Sequence, residues 1–283
     1  MAFKVTVSRW SRKTFKDQNM KLSIMTIMFV TSVGALALAL PPKYSPPPSS
    51  AQVLAGINFD SAMPVDESYR AEFDRCDREN KFKNQTMSGF RKCSQDKNQV
   101  NALLKFPKGV IFFESKLSLD IDGSWKACNS AGATDQCPTW FKWKHRSGAA
   151  ANVDADKYPY VAIPIARPDG SSDREFRDKT GVRKGDLGVV VFKDKVVPVF
   201  VADGGPHNKL GEGSTALLKA IGEDRCQQWH DGHCEKVNDS SVEGGVLFFL
   251  FPSSAIPDLT PENALQRVRD AALRWFQELK TAP

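Results

Sequence analysis

Between Val110 and Phe251 the apolar residues come in short β-branched or aromatic runs, separated by Gly, Asp and Pro. Val110-Ile111-Phe112-Phe113, Val161–Ile165, Val189–Phe192, Val196–Val201 and Val246–Phe251 each read as a buried strand, and Leu117–Asp122 alternates apolar and polar with period two. Lys193-Asp194-Lys195 reads as a tight turn joining two of them. Many short strands with such turns predict a closed or nearly closed β-structure, because closure removes the unpaired edges that short strands would otherwise expose.

Helical signals flank this region. Upstream, residues 60–105 are polar and irregular, with helical pieces expected at Glu67–Arg78 and Gln99–Leu104. A short helix is expected from Ser214 to Ile221, closed by Gly222. At the end, Thr260-Pro261-Glu262 supplies a cap, a Pro at the first helical position and an early acid. Leu265, Val268, Ala272, Leu273 and Phe276 then recur at helical spacing to about Lys280, and their stripe is expected to pack on the β-structure.

The formal charge of +6 hints at nucleic acid, but its distribution removes the hint. Lys4, Arg9, Arg12, Lys13, Lys16 and Lys21 against Asp17 place +5 of it in residues 1–40, which leaves +1 for the rest. A near-neutral body with interspersed charges is a solvated surface, so no nucleic-acid partner is expected. The basic leader precedes an apolar stretch, Leu22–Leu40, which ends in Ala35-Leu36-Ala37-Leu38-Ala39. Residues 1–40 therefore read as a cleaved export signal, with Met20 as a second possible start, although nineteen mostly apolar residues also suffice for an uncleaved anchor.

Residues 41–54, opening Pro41-Pro42-Lys43-Tyr44-Ser45-Pro46-Pro47-Pro48, read as a stiff extended linker. Residues 55–108 then form a helical segment, 109–255 the β core and 256–283 the terminal helix. All six cysteines lie beyond the linker in three local couples: Cys76 with Cys93, Cys128 with Cys137, and Cys226 with Cys234. An even count downstream of a signal reads as disulfides formed outside the cytoplasm, so the chain is expected to be secreted, with no stable membrane association once the signal is removed. Six cysteines allow fifteen connectivities, and short separation makes the local set the best guess.

Asp203 and Glu212 stand out chemically. Asp203 sits where a buried strand runs out into Gly204-Gly205-Pro206, and Glu212 precedes a short helix. Two rigidly held carboxylates are what a glycosidase sets across a scissile bond. The same residues also suit a turn and a helix start, and spacing alone leaves both readings open. Ala202-Asp203-Gly204-Gly205-Pro206 followed by Gly211-Glu212-Gly213-Ser214 resembles glycoside hydrolase family 75, the chitosanases. Asp154-Ala155-Asp156-Lys157-Tyr158-Pro159-Tyr160-Val161-Ala162-Ile163-Pro164 and Leu119-Asp120-Ile121-Asp122-Gly123 are similar to two further segments of that family, in the same order. Gly204 departs from the family's Thr or Val and Asp156 from its Asn; neither change removes a carboxylate.

The resemblance implies a small double-psi-like β-barrel, a mainly β fold with flanking helices, and an inverting two-carboxylate hydrolysis of β-1,4-linked glucosamine within the polymer. Asp203 is expected as the acid, beside apolar Val199 and Val201, and Glu212 as the base, with the reverse assignment open. Asp120, Asp122, Asp154 and Asp156 then become candidates for binding glucosamine ammonium groups, although acids beside Gly often only form turns. His207 is a candidate substrate contact or a plain exposed turn residue, and Trp229 a candidate sugar platform or a core cover.

Cys226-Gln227-Gln228-Trp229-His230-Asp231-Gly232-His233-Cys234 raises zinc, but its seven-residue gap fits a disulfide across a loop better. No metal and no cofactor is expected, and the chain is expected to be a monomer. Gly-x-Ser-x-Gly, phosphate-loop and dinucleotide motifs are absent from the sequence. Two alternatives stand beside chitosanase: a related barrel enzyme or lytic transglycosylase acting on peptidoglycan, and a carbohydrate-binding protein without catalysis.

Overall fold

The computed structural model describes residues 44–129, 136–144, 150–238 and 240–281. The chain divides into two units, residues 1–41 and 42–283, and the first lies outside the described residues together with the expected signal. Six strands close into a barrel: β1 (Ile111–Asp120), β2 (Tyr160–Ala166), β3 (Leu187–Phe192), β4 (Lys195–Pro206), β5 (Glu212–Ser214) and β6 (Val242–Phe251). Their order around the wall is β1-β5-β2-β4-β3-β6, and β6 pairs back onto β1. β4 lies between β2 and β3, parallel to the first and antiparallel to the second. In the same way β5 lies between β1 and β2, parallel to β1 and antiparallel to β2. The neighbours β1 and β2, and β2 and β3, are thus each split by a later strand, which is the double-psi-like arrangement.

Alternation along the strands sorts the core into two clusters. Leu117, Val161, Ile163, Val190, Val199, Val201, Val246 and Phe248 share one with Phe73 and Phe176. Their strand neighbours Phe112, Tyr160, Val189, Val191, Phe200, Ala202, Leu247 and Phe249 join the other, with Val268, Ala272 and Phe276. The latter three belong to the terminal helix (Ala264–Lys280), which packs on the outside of the wall, so the first set faces into the barrel. Both faces are buried, which explains why the strands read as near-continuous apolar runs rather than strict alternation.

Around the barrel sit helices α1 (Glu67–Glu79), α2 (Trp125–Asn129), α3 (Glu175–Thr180), α4 (Thr215–Ala220) and the terminal α5 (Ala264–Lys280). The Ser214 hydroxyl caps α4 by accepting the Leu217 N–H. Disulfides join Cys76 to Cys93, Cys128 to Cys137 and Cys226 to Cys234. No helix among the described residues is long and apolar enough to cross a membrane.

Three local expectations are corrected. The described part of the linker is not extended and free: Tyr44 donates its hydroxyl to Glu114 and packs its ring on Phe59 and Phe112, and Leu54 is buried. Pro48–Ser50 forms a short 3-10 turn there, because a lone aromatic and a leucine find an apolar wall to cover. Residues Ala102–Lys105 form a strand against β1 rather than a helix, since an edge of the sheet is available to pair with them. On α5 the exposed Leu265 leaves the stripe, while Ala264 and Leu279 enter it.

Candidate active site

The register of the wall brings Asp203 and Glu212 together. On β2, Ala162 is the partner of Asp203 on one side and of Glu212 on the other. Partners across a ladder share a face, so the two side chains leave the same surface of the wall with Ala162 between them. Their backbones stand about 9–10 Å apart, two inter-strand spacings of about 4.8 Å. A bulge makes this possible. Val201 pairs with Val161 and Asp203 with Ala162, so Ala202 is an extra residue in β4. Without it Asp203 would follow Val199 and Val201 into the barrel; the bulge turns it to the outer face.

The same face of β1 presents Lys116, Ser118 and Asp120, two residues apart each. Ser118 is the ladder partner of Glu212, and Asp120 that of Ser214. Beyond the end of β1, Asp122 donates its N–H to Asp120 and accepts the Gln136 N–H at 2.6 Å. Asp120, Asp122 and Asp203 each bring a carboxylate oxygen within 4.8 Å of the others. That spacing suits a hard cation as well as acids that share a proton.

Asp203 is 5% exposed. One of its oxygens accepts the N–H groups of Trp140 at 3.0 Å and Gly204 at 2.7 Å. The other is buried with no hydrogen-bond partner among the described residues, and the Asp203 side chain lies close to the Asp122 carboxyl. Two acids make that contact by sharing a proton. Burial pushes Asp203 above the usual carboxylate range, against the pull of Asp122, the two backbone N–H groups and Lys142. Burial pushes Asp120 well above that range, reinforced by the charges of Asp203, Asp122 and Glu212. The Tyr160 hydroxyl, which donates to the Asp122 carbonyl at 2.9 Å, also touches Asp120. Glu212 rests over Gly205: a Cβ there would lie 1.7 Å from its Oε2. Only glycine leaves that carboxyl its place.

The remaining sequence candidates are engaged in other contacts. Asp154 forms a turn, accepting the Asp156 N–H at 3.0 Å. Asp156 is buried and accepts the Cys234 N–H, which anchors the Cys226–His230/His233–Val237 hairpin to the barrel. His207 is not an exposed turn residue. It is 4% exposed, edge-on to Phe82 and 3.5 Å from Asp173, and burial pushes its imidazole down while Asp173 pulls it back. The face of Trp229 is covered by the Lys219 ammonium at 3.8 Å, and its N–H donates to Asp224. Both sulfurs of the Cys226/Cys234 hairpin are bonded to each other, so they hold no zinc.

Sequence reading missed Trp125, three residues beyond Asp122. It is 43% exposed at the start of α2 and stacks on His233. The exposed Trp beside an acid pair was the available signal. It also missed the buried lysines behind Glu212, because a lysine between apolar neighbours reads as a surface residue. Comparison of the chain with protein-family models and with curated proteins finds no match in either.

Proposed function

We propose that this chain is an exported, endo-acting chitosanase that cuts β-1,4 bonds between glucosamine units with inversion. The observation that carries the reading is the placement of Asp203 and Glu212 on one face of the wall, flanking Ala162. Strands two spacings apart can carry carboxyls at the wider separation, about 6.5–9.5 Å, that leaves room for a water in inverting enzymes.

In this mechanism Asp203 enters the reaction protonated, which its burial favours. It gives its proton to the glycosidic oxygen as the C1–O bond breaks. Glu212 takes a proton from a water whose oxygen forms the new bond to C1 on the opposite face. Exchange with solvent then returns a proton to Asp203 and removes one from Glu212. A cluster rich in carboxylates attracts a polymer that carries an ammonium on each sugar, and rejects a neutral one by comparison. Trp125 supplies an apolar face on which a sugar ring can stack. The three disulfides agree with folding outside the cytoplasm.

The test is to incubate purified protein, and its Asp203→Asn and Glu212→Gln variants, with chitosan, chitin and peptidoglycan. Cleavage of chitosan by the wild type alone supports the reading. Cleavage of peptidoglycan alone, or of nothing, overturns it.

A further inference from the structure

Behind Glu212 lies a buried group of charges that the two-carboxylate mechanism does not use. Lys116 and Lys209 are 1% and 2% exposed. Both ammonium groups bond a single carboxylate, Asp96, with Lys209 at 3.0 Å. Lys116 also donates to Ser118, and Lys209 to the carbonyl oxygens of Lys92 and Asp96. Ser241 donates to Asp96 at 2.9 Å, and Ser118 touches the same carboxylate at 3.2 Å. Burial pushes Asp96 up, but Lys116 and Lys209 outweigh it and hold the carboxyl at about 2.

Two buried cations against one anion leave an excess positive charge, which a protein interior does not hold uncompensated. The ladder shows where compensation comes from. Ser118, bonded by Lys116, is the partner of Glu212 across β1 and β5, and the two share a face. Lys209 precedes Glu212 by three residues in the same loop; burial and the repulsion of Lys116 push its ammonium below its ordinary value, against the pull of Asp96 and then of Glu212. Lys116, Lys209, Asp96 and Glu212 together carry two positive and two negative charges. The charge of Glu212 also acts on Asp120, two residues along β1 from Ser118, and Asp203 lies beyond Ala162 on the other side.

We propose that Lys209 and Lys116 are positioning residues that hold Glu212 as an ionised carboxylate and so assign it, rather than Asp203, the part of the base. The assignment of parts rests on the hydrolase reading; the charge pairing does not. The acid side is built differently: Asp203 is buried, with the carboxyls of Asp120 and Asp122 close by. One face of the wall thus carries the two lysines near Glu212 and the acids Asp120 and Asp203.

The experiment follows the carboxyl of Glu212 by carbon NMR of glutamate-labelled full-length protein without substrate, with Glu212→Gln to assign the signal. At an effective dielectric of about 20, a unit charge ~8–10 Å away moves a neighbour's midpoint by about one pH unit. Lys209→Met and Lys116→Met should each raise the Glu212 midpoint by about that much. Asp96→Asn, which removes a negative charge and leaves both lysines, should lower it. The opposite sign keeps the test alive where a Met variant fails to fold, which circular dichroism reports.

In chitosan hydrolysis the acid limb of kcat/KM should shift with the same signs. An unmoved Glu212 midpoint in the folded variants overturns the pairing even if chitosan is cleaved. A midpoint that moves as expected in a protein that cleaves no glycan upholds the pairing and removes the hydrolase reading instead.

Discussion

Consider Asp203→Asn, which keeps the shape of the side chain and removes its charge. The amide oxygen can still accept the N–H groups of Trp140 and Gly204, and the new NH2 takes the place of the buried second oxygen, with the Asp122 carboxyl close by. A contact between two acids becomes a hydrogen bond from an amide to a carboxylate. At 4.8 Å and an effective dielectric of about 20, two unit charges repel by about 3.5 kcal/mol. Proton sharing and the nearby Lys142 already relieve part of this, so the variant should gain about 1–3 kcal/mol at neutral pH.

The pH dependence has a fixed sign. Burial raises Asp203 and Asp120 above their unfolded values, so the folded protein binds more protons. The stability they contribute is fully present below the ordinary carboxylate range near pH ~4, and it is lost as pH rises through the raised folded values. The advantage of Asn over Asp should therefore be large at neutral pH and vanish on acidification to about pH 3.5. Thermal unfolding by calorimetry measures it: for a chain of this size ~2 kcal/mol corresponds to a rise of about 5 °C. A variant less stable than the wild type at neutral pH, or equally stabilised at both pH values, refutes the like-charge cluster.

Other expectations follow from single contacts. Gly205→Ala puts a methyl 1.7 Å from Glu212 Oε2, so hydrolysis should fall by about 100-fold or more while circular dichroism stays native, because a flexible carboxyl can move aside. Trp125→Ala should raise the Michaelis constant about tenfold with little change in turnover, the effect of about 1.4 kcal/mol of lost stacking. Cys76 and Cys93 are fully buried and separated by 17 residues, so the Cys76→Ser/Cys93→Ser double variant should lose about 2–5 kcal/mol in denaturant unfolding.

The sequence made the barrel legible because its strands are short, apolar and punctuated, and because Ser214 and the α5 stripe carry local signals. Asp203 and Glu212 were legible as carboxylates at structural boundaries. Their shared face was not, since it depends on the extra residue Ala202 and on β2 lying between two strands that come later in the chain. His207 was misjudged for a related reason: Phe82 and Asp173, which cover it, are 125 and 34 residues away and meet it only through folding. Tyr44 and the 102–105 strand show the same limit. A Pro-rich stretch and an ambiguous apolar run take the structure that a neighbouring wall or sheet edge offers.

The central claim is that Asp203 and Glu212 work as an inverting pair on a glucosamine polymer. Proton NMR of chitosan hydrolysis in its first minutes tests it most directly, by resolving the anomer released before mutarotation. The account predicts that the wild type releases the α-anomer from β-linked chains, and that Asp203→Asn and Glu212→Gln each slow this by about 100- to 10,000-fold while remaining folded. Initial release of the β-anomer, or near-normal hydrolysis by either folded variant, would contradict it.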